Sequence, residues 1–170
     1  MMLATFDRAL IRSNRLIVIA ILAAMAVIVF ANVVLRFATD TSILWAEELS
    51  RYLMVWLTFL GAGLVLRYGG HIGIDTLQTA LPRHAAAIRV AIVVLLAGFF
   101  VVMLCLSLRY SMLTWAQTTP IMQIPIGAVY LAMPIGFALM LAHLTLMMAA
   151  YVRRAAYLVD AEFGADAAKL

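Results

Sequence analysis

Between Leu16 and Leu35 the sequence runs for twenty residues with Asn32 as its single polar interruption. At about 1.5 Å per helical residue such a run matches a hydrocarbon core of about 30 Å. In lipid, only helices and closed barrels satisfy every backbone N–H and C=O. Further apolar runs follow at Tyr52–Leu66, Val90–Leu108 and Ile126–Tyr151. These lengths predict an all-α integral membrane protein with spans over about 15–36, 45–67, 88–109 and 126–151, and residues 1–170 forming a single membrane domain. Composition agrees: 67% of the residues are hydrophobic and 12% charged, against about half and a quarter in soluble domains.

The start of the chain carries Arg8, Arg12 and Arg15 ahead of an apolar run, and Ala24-Met25-Ala26 has the small-x-small look of a signal cleavage site. The run continues well past that point and is longer than a signal core, so it reads as an uncleaved first span ending at Arg36. The second run is short. Its fifteen residues cover about 22 Å, less than the hydrocarbon core. To span, this helix must draw its first turns, with Glu47, Glu48 and Arg51, to the membrane boundary, where charges face protein or water rather than lipid.

The connections set the topology. In Phe37–Leu44, Thr41 or Ser42 is placed to cap the second helix. Residues 71–83, after Gly69-Gly70, are too short and polar to span and read as a short interfacial helix holding His71 and Asp75. The uncharged Tyr110–Pro125 connection, with Trp115, Gln117, Thr119, Pro120 and Pro125, suits a membrane-surface or partly re-entrant loop, and Pro134-Ile135-Gly136 predicts a kink in the last span. Nine Lys and Arg residues fall at the two ends and the second-to-third connection; Arg36, Arg51 and Arg109 fall on the other side. The positive-inside rule then puts both termini in the cytoplasm. Basic residues placed this way are topology signals, and they argue against a nucleic-acid partner.

Chemistry-bearing clusters are sparse. At about 100° per residue, Glu47, Arg51, Met54, Thr58, Ala62 and Val65 share one stripe of the second helix with Gly61 beside it, opposite Trp45, Leu49, Leu53, Trp56 and Leu60. Small and polar residues in a stripe permit close helix approach in a membrane. Glu47 and Arg51 are spaced to pair, leaving Glu48 for Arg36 or for a partner. Trp45 and Trp56 read as interfacial aromatics, and His71 and Asp75 as an i, i+4 hydrogen-bonding pair too small to fill a metal shell. His143 lacks a second histidine at matching depth for a haem and reads as a polar link between helices. Cys105 stands alone, and nothing here pairs a nucleophile with a base or forms a phosphate loop, so no enzyme and no cofactor are expected.

A family resemblance rests on Asn32-x-x-x-Arg36, Trp45-x-Glu47-Glu48-x-x-Arg51, Trp56, Gly61, Arg67, His71-Ile72-x-Ile74-Asp75, Thr119-Pro120, Ile124-Pro125 and Tyr130-Leu131-Ala132-x-Pro134-Ile135-Gly136. From about Asn14 to Arg154 the chain resembles the small membrane subunit of the tripartite ATP-independent periplasmic (TRAP) transporters. The resemblance implies residence in a bacterial inner membrane beside lipid and two protein partners. One is a large membrane subunit that moves an organic acid (a C4-dicarboxylate, keto acid or acidic sugar) with Na⁺ by an elevator motion. The other is a periplasmic solute-binding protein. It also implies no substrate or Na⁺ site in this chain. On that footing Arg36, Glu47, Glu48 and Arg51 form a boundary charge cluster at the subunit interface, and Trp115–Pro125 a docking loop for the binding protein. The alternative is a self-sufficient four-helix exporter acting as a dimer, which would want an acid well inside a span.

Overall fold

The computed structural model describes residues 2–68 and 82–154. Its elements are α1 (Met2–Thr39), α2 (Leu44–Arg67), a 3₁₀ turn at Pro82–His84, α3 (Ala85–Leu113), α4 (Ile126–Tyr130) and α5 (Ala132–Arg154). Four helical stretches are long and apolar enough to cross a membrane, α4 and α5 together making the last. The expected four spans are thus present, all helical. Most of the predicted interfacial segment, with His71 and Asp75, lies outside the described residues.

The spatial order differs from the chain order. The last span packs between α2 and α3, while α1 lies against α2. The core is built where α2, α3 and α5 meet, from Leu66, Val93, Phe100, Phe137, Met140, Leu144, Met147 and Tyr151. Phe137 sits at its centre, edge-on to Phe59 with ring centroids 5.8 Å apart and to Phe99 at 6.4 Å. With no hydrophobic drive between helices in lipid, such packing depends on close contact. Gly136 provides it: a methyl group there would stand 2.7 Å from Phe59 Cβ and 2.8 Å from its carbonyl oxygen. This is where α2 and α5 cross backbone to backbone.

Two local expectations are corrected, and the first helix extends beyond the predicted first span, continuing through the basic leader to Met2. Its 38 residues make a rod of about 57 Å, longer than the hydrocarbon core, so its first turns project beyond the lipid-facing part. Neither Thr41 nor Ser42 caps α2. The cap residue is Ile43, which offers no side-chain bond, and its N–H donates instead to Asn32 Oδ1 at 2.7 Å. Asp40 in the left-handed conformation (φ 51°) turns the chain back on α1, close enough for an asparagine one helix away to reach it. Asn32→Ala is expected to cost about 1 kcal/mol, the usual worth of a capping side chain, read as a lower Tm of the detergent-purified chain.

The break in the last span falls at Leu131 rather than at Pro134-Ile135-Gly136. Pro134 has no N–H to give Tyr130, and its ring crowds that carbonyl, so the helix is interrupted one turn before the proline. The ladder resumes with Ile135 N–H on the Leu131 carbonyl at 3.2 Å.

Candidate functional site: the boundary charges and the outer lobe

Adjacent residues on a helix point about 100° apart, and this separates Glu47 from Glu48. Glu47 is exposed and shares a cleft of about 410 Å³ with Asn32, Arg36, Ser50 and Arg51, between α1 and α2. Arg36 and Arg51 are also exposed, and among the described residues no ion pair joins the three. Below the cleft the same stripe of α2 continues outward through Met54, Thr58 and Val65, all exposed, and nothing lies within 4 Å of where a Gly61 side chain would begin. The described residues leave most of this stripe uncovered; Ala62 is the exception, half-buried against the core.

Glu48 departs from the expected four-residue cluster. It is 2% exposed and turned into the bundle. The Tyr52 hydroxyl donates to Oε1 at 2.8 Å, and the Ile121 N–H donates to Oε2 at 2.8 Å across 73 residues of chain. The Thr119 hydroxyl and the Met122 N–H also face the carboxylate. The reason is the position of the 114–125 connection, which folds over α2 and presents donors to a carboxylate, a group able to take several at once.

That connection is a small hairpin-like lobe. Thr119 N–H bonds the Ile124 carbonyl at 2.9 Å and Ile126 N–H bonds the Gln117 carbonyl at 2.8 Å, with Thr118 and Pro125 bridged between them. Gln123 occupies the left-handed region (φ 54°) at its turn, where its side-chain amide donates to the Pro120 carbonyl at 2.9 Å. The predicted docking residues divide accordingly. Trp115, Gln117 and Pro120 are exposed, Pro125 is half-buried, and Thr119 is fully buried. Thr119 is therefore a strut of the lobe, its Oγ1 accepting from Ile124 N–H, and not a surface contact. The lobe is wedged against the last span at Gly127, where a Cβ would meet the Ser111 carbonyl oxygen at 2.4 Å and Trp115 Cα at 3.0 Å.

Of the two tryptophans expected at the interface, Trp45 is exposed in the first turn of α2. Trp56 lies farther along the helix. It stands twelve residues from the start of α2, about 18 Å along it, half-buried in an apolar recess with Ile17, Leu60, Ile135 and Leu139. That puts it midway along α2.

One buried link escaped the sequence reading, and a second was foreseen only on one side. Arg67, 3% exposed at the end of α2, forms an ion pair with Asp7 in the projecting part of α1. Between them and the core, the Asn14 amide lies 3.4 Å from His143 Nε2, both side chains buried. His143 packs on Gly63, where a Cβ would be 2.8 Å from the ring. The expected polar link by His143 is therefore seen, with Asn14 as its partner. Asp7→Asn is expected to lower stability by about 3 kcal/mol, since it strands a buried guanidinium. Asp7→Leu with Arg67→Met should recover most of that loss, a double-mutant comparison readable by thermal unfolding.

The family described as tripartite ATP-independent periplasmic transporters, DctQ component, matches residues 25–154. The chain belongs to the DctQ family. A Haemophilus influenzae protein named as a putative TRAP transporter small permease protein is 42% identical over 45% of this chain and 48% of its own length. The chain thus matches about half the length of that relative. The ectoine TRAP transporter small permease protein TeaB of Halomonas elongata is 29% identical over 79% of this chain and 72% of its length. The isethionate TRAP transporter permease protein DctMQ of Oleidesulfovibrio alaskensis is 26% identical over 88% of this chain but only 24% of its own length. The DctQ match takes in Arg36, Glu47, Glu48, Arg51, the outer lobe and His143, and it places the chain among transporter components rather than enzymes.

Proposed function

We propose that this DctQ-family chain is the fixed mount of a tripartite transporter, gripping a large membrane subunit through the exposed stripe of α2 and the Arg36–Glu47–Arg51 cleft. The large subunit, not this chain, binds the solute, a small organic acid, together with Na⁺. The observation that carries the reading is the division between the two acids. Glu48 and the other buried polar groups are taken up in joining this chain's own elements. Glu47, Arg36 and Arg51 face outward with the uncovered stripe beneath them. Charges at a membrane boundary are favourable when a protein partner meets them, and an open Gly61 lets a partner helix approach closely. The relative whose name is DctMQ is about four times longer than the part matched by this chain, which suits a DctQ portion continuous with a larger permease.

The distribution of Lys and Arg supports both termini in the cytoplasm of a cell with an outer periplasm. The lobe at 114–125 and the turn near Phe37, which is 86% exposed, then face the periplasmic binding protein, with Trp115, Gln117 and Pro120 as its contacts. Crosslinks from these positions to the binding protein support this, and crosslinks only to the large subunit count against it.

The test is co-purification. Arg36→Gln with Arg51→Gln, and separately Gly61→Leu, are expected to reduce the large subunit recovered with the tagged chain about tenfold or more and to reduce uptake in parallel. The chain itself should still be made and folded, because these positions contact nothing in its core. Unchanged recovery and uptake in both variants would defeat the proposal. Solute flux in liposomes holding this chain alone would favour the exporter alternative.

A further inference from the structure

At the end of the molecule opposite the outer lobe, a cleft of about 450 Å³ opens between the projecting part of α1 and the end of α2. Arg8, Arg12, Arg15 and Arg67 line it with Ile11 and Tyr68, and Asp7 is the one carboxylate among its described lining residues. That carboxylate is already committed to Arg67. Arg12 and Arg15 are exposed on the same side of α1, and among the described residues neither makes an ion pair. Arg67, almost wholly buried beside them, has an Nε donor with no hydrogen-bond partner among the described residues. The cleft therefore combines a surplus of guanidinium groups with an unused buried donor. Guanidiniums carry a permanent positive charge, and such a cluster at a membrane surface attracts anionic phosphate groups.

The surface next to the cleft identifies the source of the phosphate. Immediately after Arg15, α1 presents Leu16, Ile17, Ile19 and Leu22, each about half exposed. Polar cleft and apolar wall adjoin within one turn of helix. A soluble anion would cover only the first; a phospholipid covers both at once. We propose that this cleft seats the phosphate of an anionic phospholipid whose acyl chains lie along α1 from Leu16 onward. The lipid ties the projecting part of α1 to the membrane surface at the place where α1 leaves the hydrocarbon. The site is separate from the subunit contacts proposed above and does not depend on them.

The experiment uses the full chain, alone and co-purified with its large subunit, equilibrated in mixed micelles of equal phosphatidylglycerol and phosphatidylcholine and read by native mass spectrometry. Phosphatidylglycerol is expected to be retained over phosphatidylcholine. A basic residue near an anionic lipid contributes about fivefold in affinity, so Arg12→Gln with Arg15→Gln should lower retention about thirty-fold. Arg12→Lys with Arg15→Lys should keep most of it, and Arg153→Gln at the end of α5 should leave it unchanged. Equal retention of the two lipids, or retention indifferent to the Gln pair, overturns the proposal. So does a Lys pair as weak as the Gln pair, because charge is what the site requires. Displacement of the lipid by an equal concentration of inorganic phosphate would assign the cleft to a soluble anion instead. Crosslinks from positions 12 and 15 to the large subunit, with lipid absent from the complex, would assign it to protein.

Discussion

Glu48→Ala is expected to release the outer lobe from α2, raising amide exchange at Ile121 and Met122 on the order of tenfold while exchange in α3 and α5 stays as it was. The carboxylate is the one connection that gathers the Tyr52 hydroxyl and the lobe's backbone donors at a single point. Alanine leaves the Ile121 N–H without its acceptor in a part-buried setting, where an unmet donor is disfavoured, so the segment opens to find water. Glu48→Gln should fall between, because Tyr52 and Ile121 now meet different oxygens, and the amide puts an NH2 donor in place of one of them. Glu47→Gln should leave the lobe untouched, since its side chain faces the α1–α2 cleft. If Glu47→Gln and Glu48→Ala loosened the lobe alike, the two acids would not have the separate tasks assigned to them.

Gly136→Ala and Gly127→Ala are expected to give large losses of stability for changes of a single methyl group. At Gly136 the obstructing atoms include the Phe59 carbonyl carbon and oxygen, and at Gly127 the Ser111 carbonyl and Trp115 Cα. These are backbone atoms, which cannot swing aside as a side-chain tip can. Overpacking of this kind costs about 1–3 kcal/mol or more, and here the strain falls on a helix crossing and on the base of the lobe. Gly61→Ala provides the contrast: with open space around it, it should leave the thermal unfolding of the isolated chain nearly unchanged. A Tm for Gly136→Ala equal to that for Gly61→Ala would show that the α2–α5 crossing is not where the fold is tight.

The spans were legible because hydropathy over about twenty residues depends on composition alone. What depends on two distant segments was not. Glu47 and Glu48 are neighbours of one chemical type, and their separate fates are decided by a lobe 73 residues away. Thr119 looked like a loop-surface residue because loops are usually exposed; it is buried because the lobe closes on it through backbone bonds. Asn32 stood out as a polar break in an apolar run, a signal that it had a task, but its recipient at Ile43 follows from the sharp turn at Asp40. Asp7 is a lone acid among the arginines of the leader, and nothing in its neighbourhood in the sequence marks a partner. Its pairing with Arg67 emerges only once α1 is continuous through residues 2–39.

The last span lies between α2 and α3, and this has a consequence for biosynthesis. A ribosome delivers α1, α2 and α3 to the membrane before the segment that joins them exists. Until then Gly63 lacks the imidazole it receives, Phe59 and Phe100 lack the ring between them, and Asn14 faces no histidine. A nascent polypeptide stopped at residue 125 would therefore be a set of separate hairpin and rod pieces without a common interior, and its maturation waits on the final hydrophobic segment sliding into the gap held open for it.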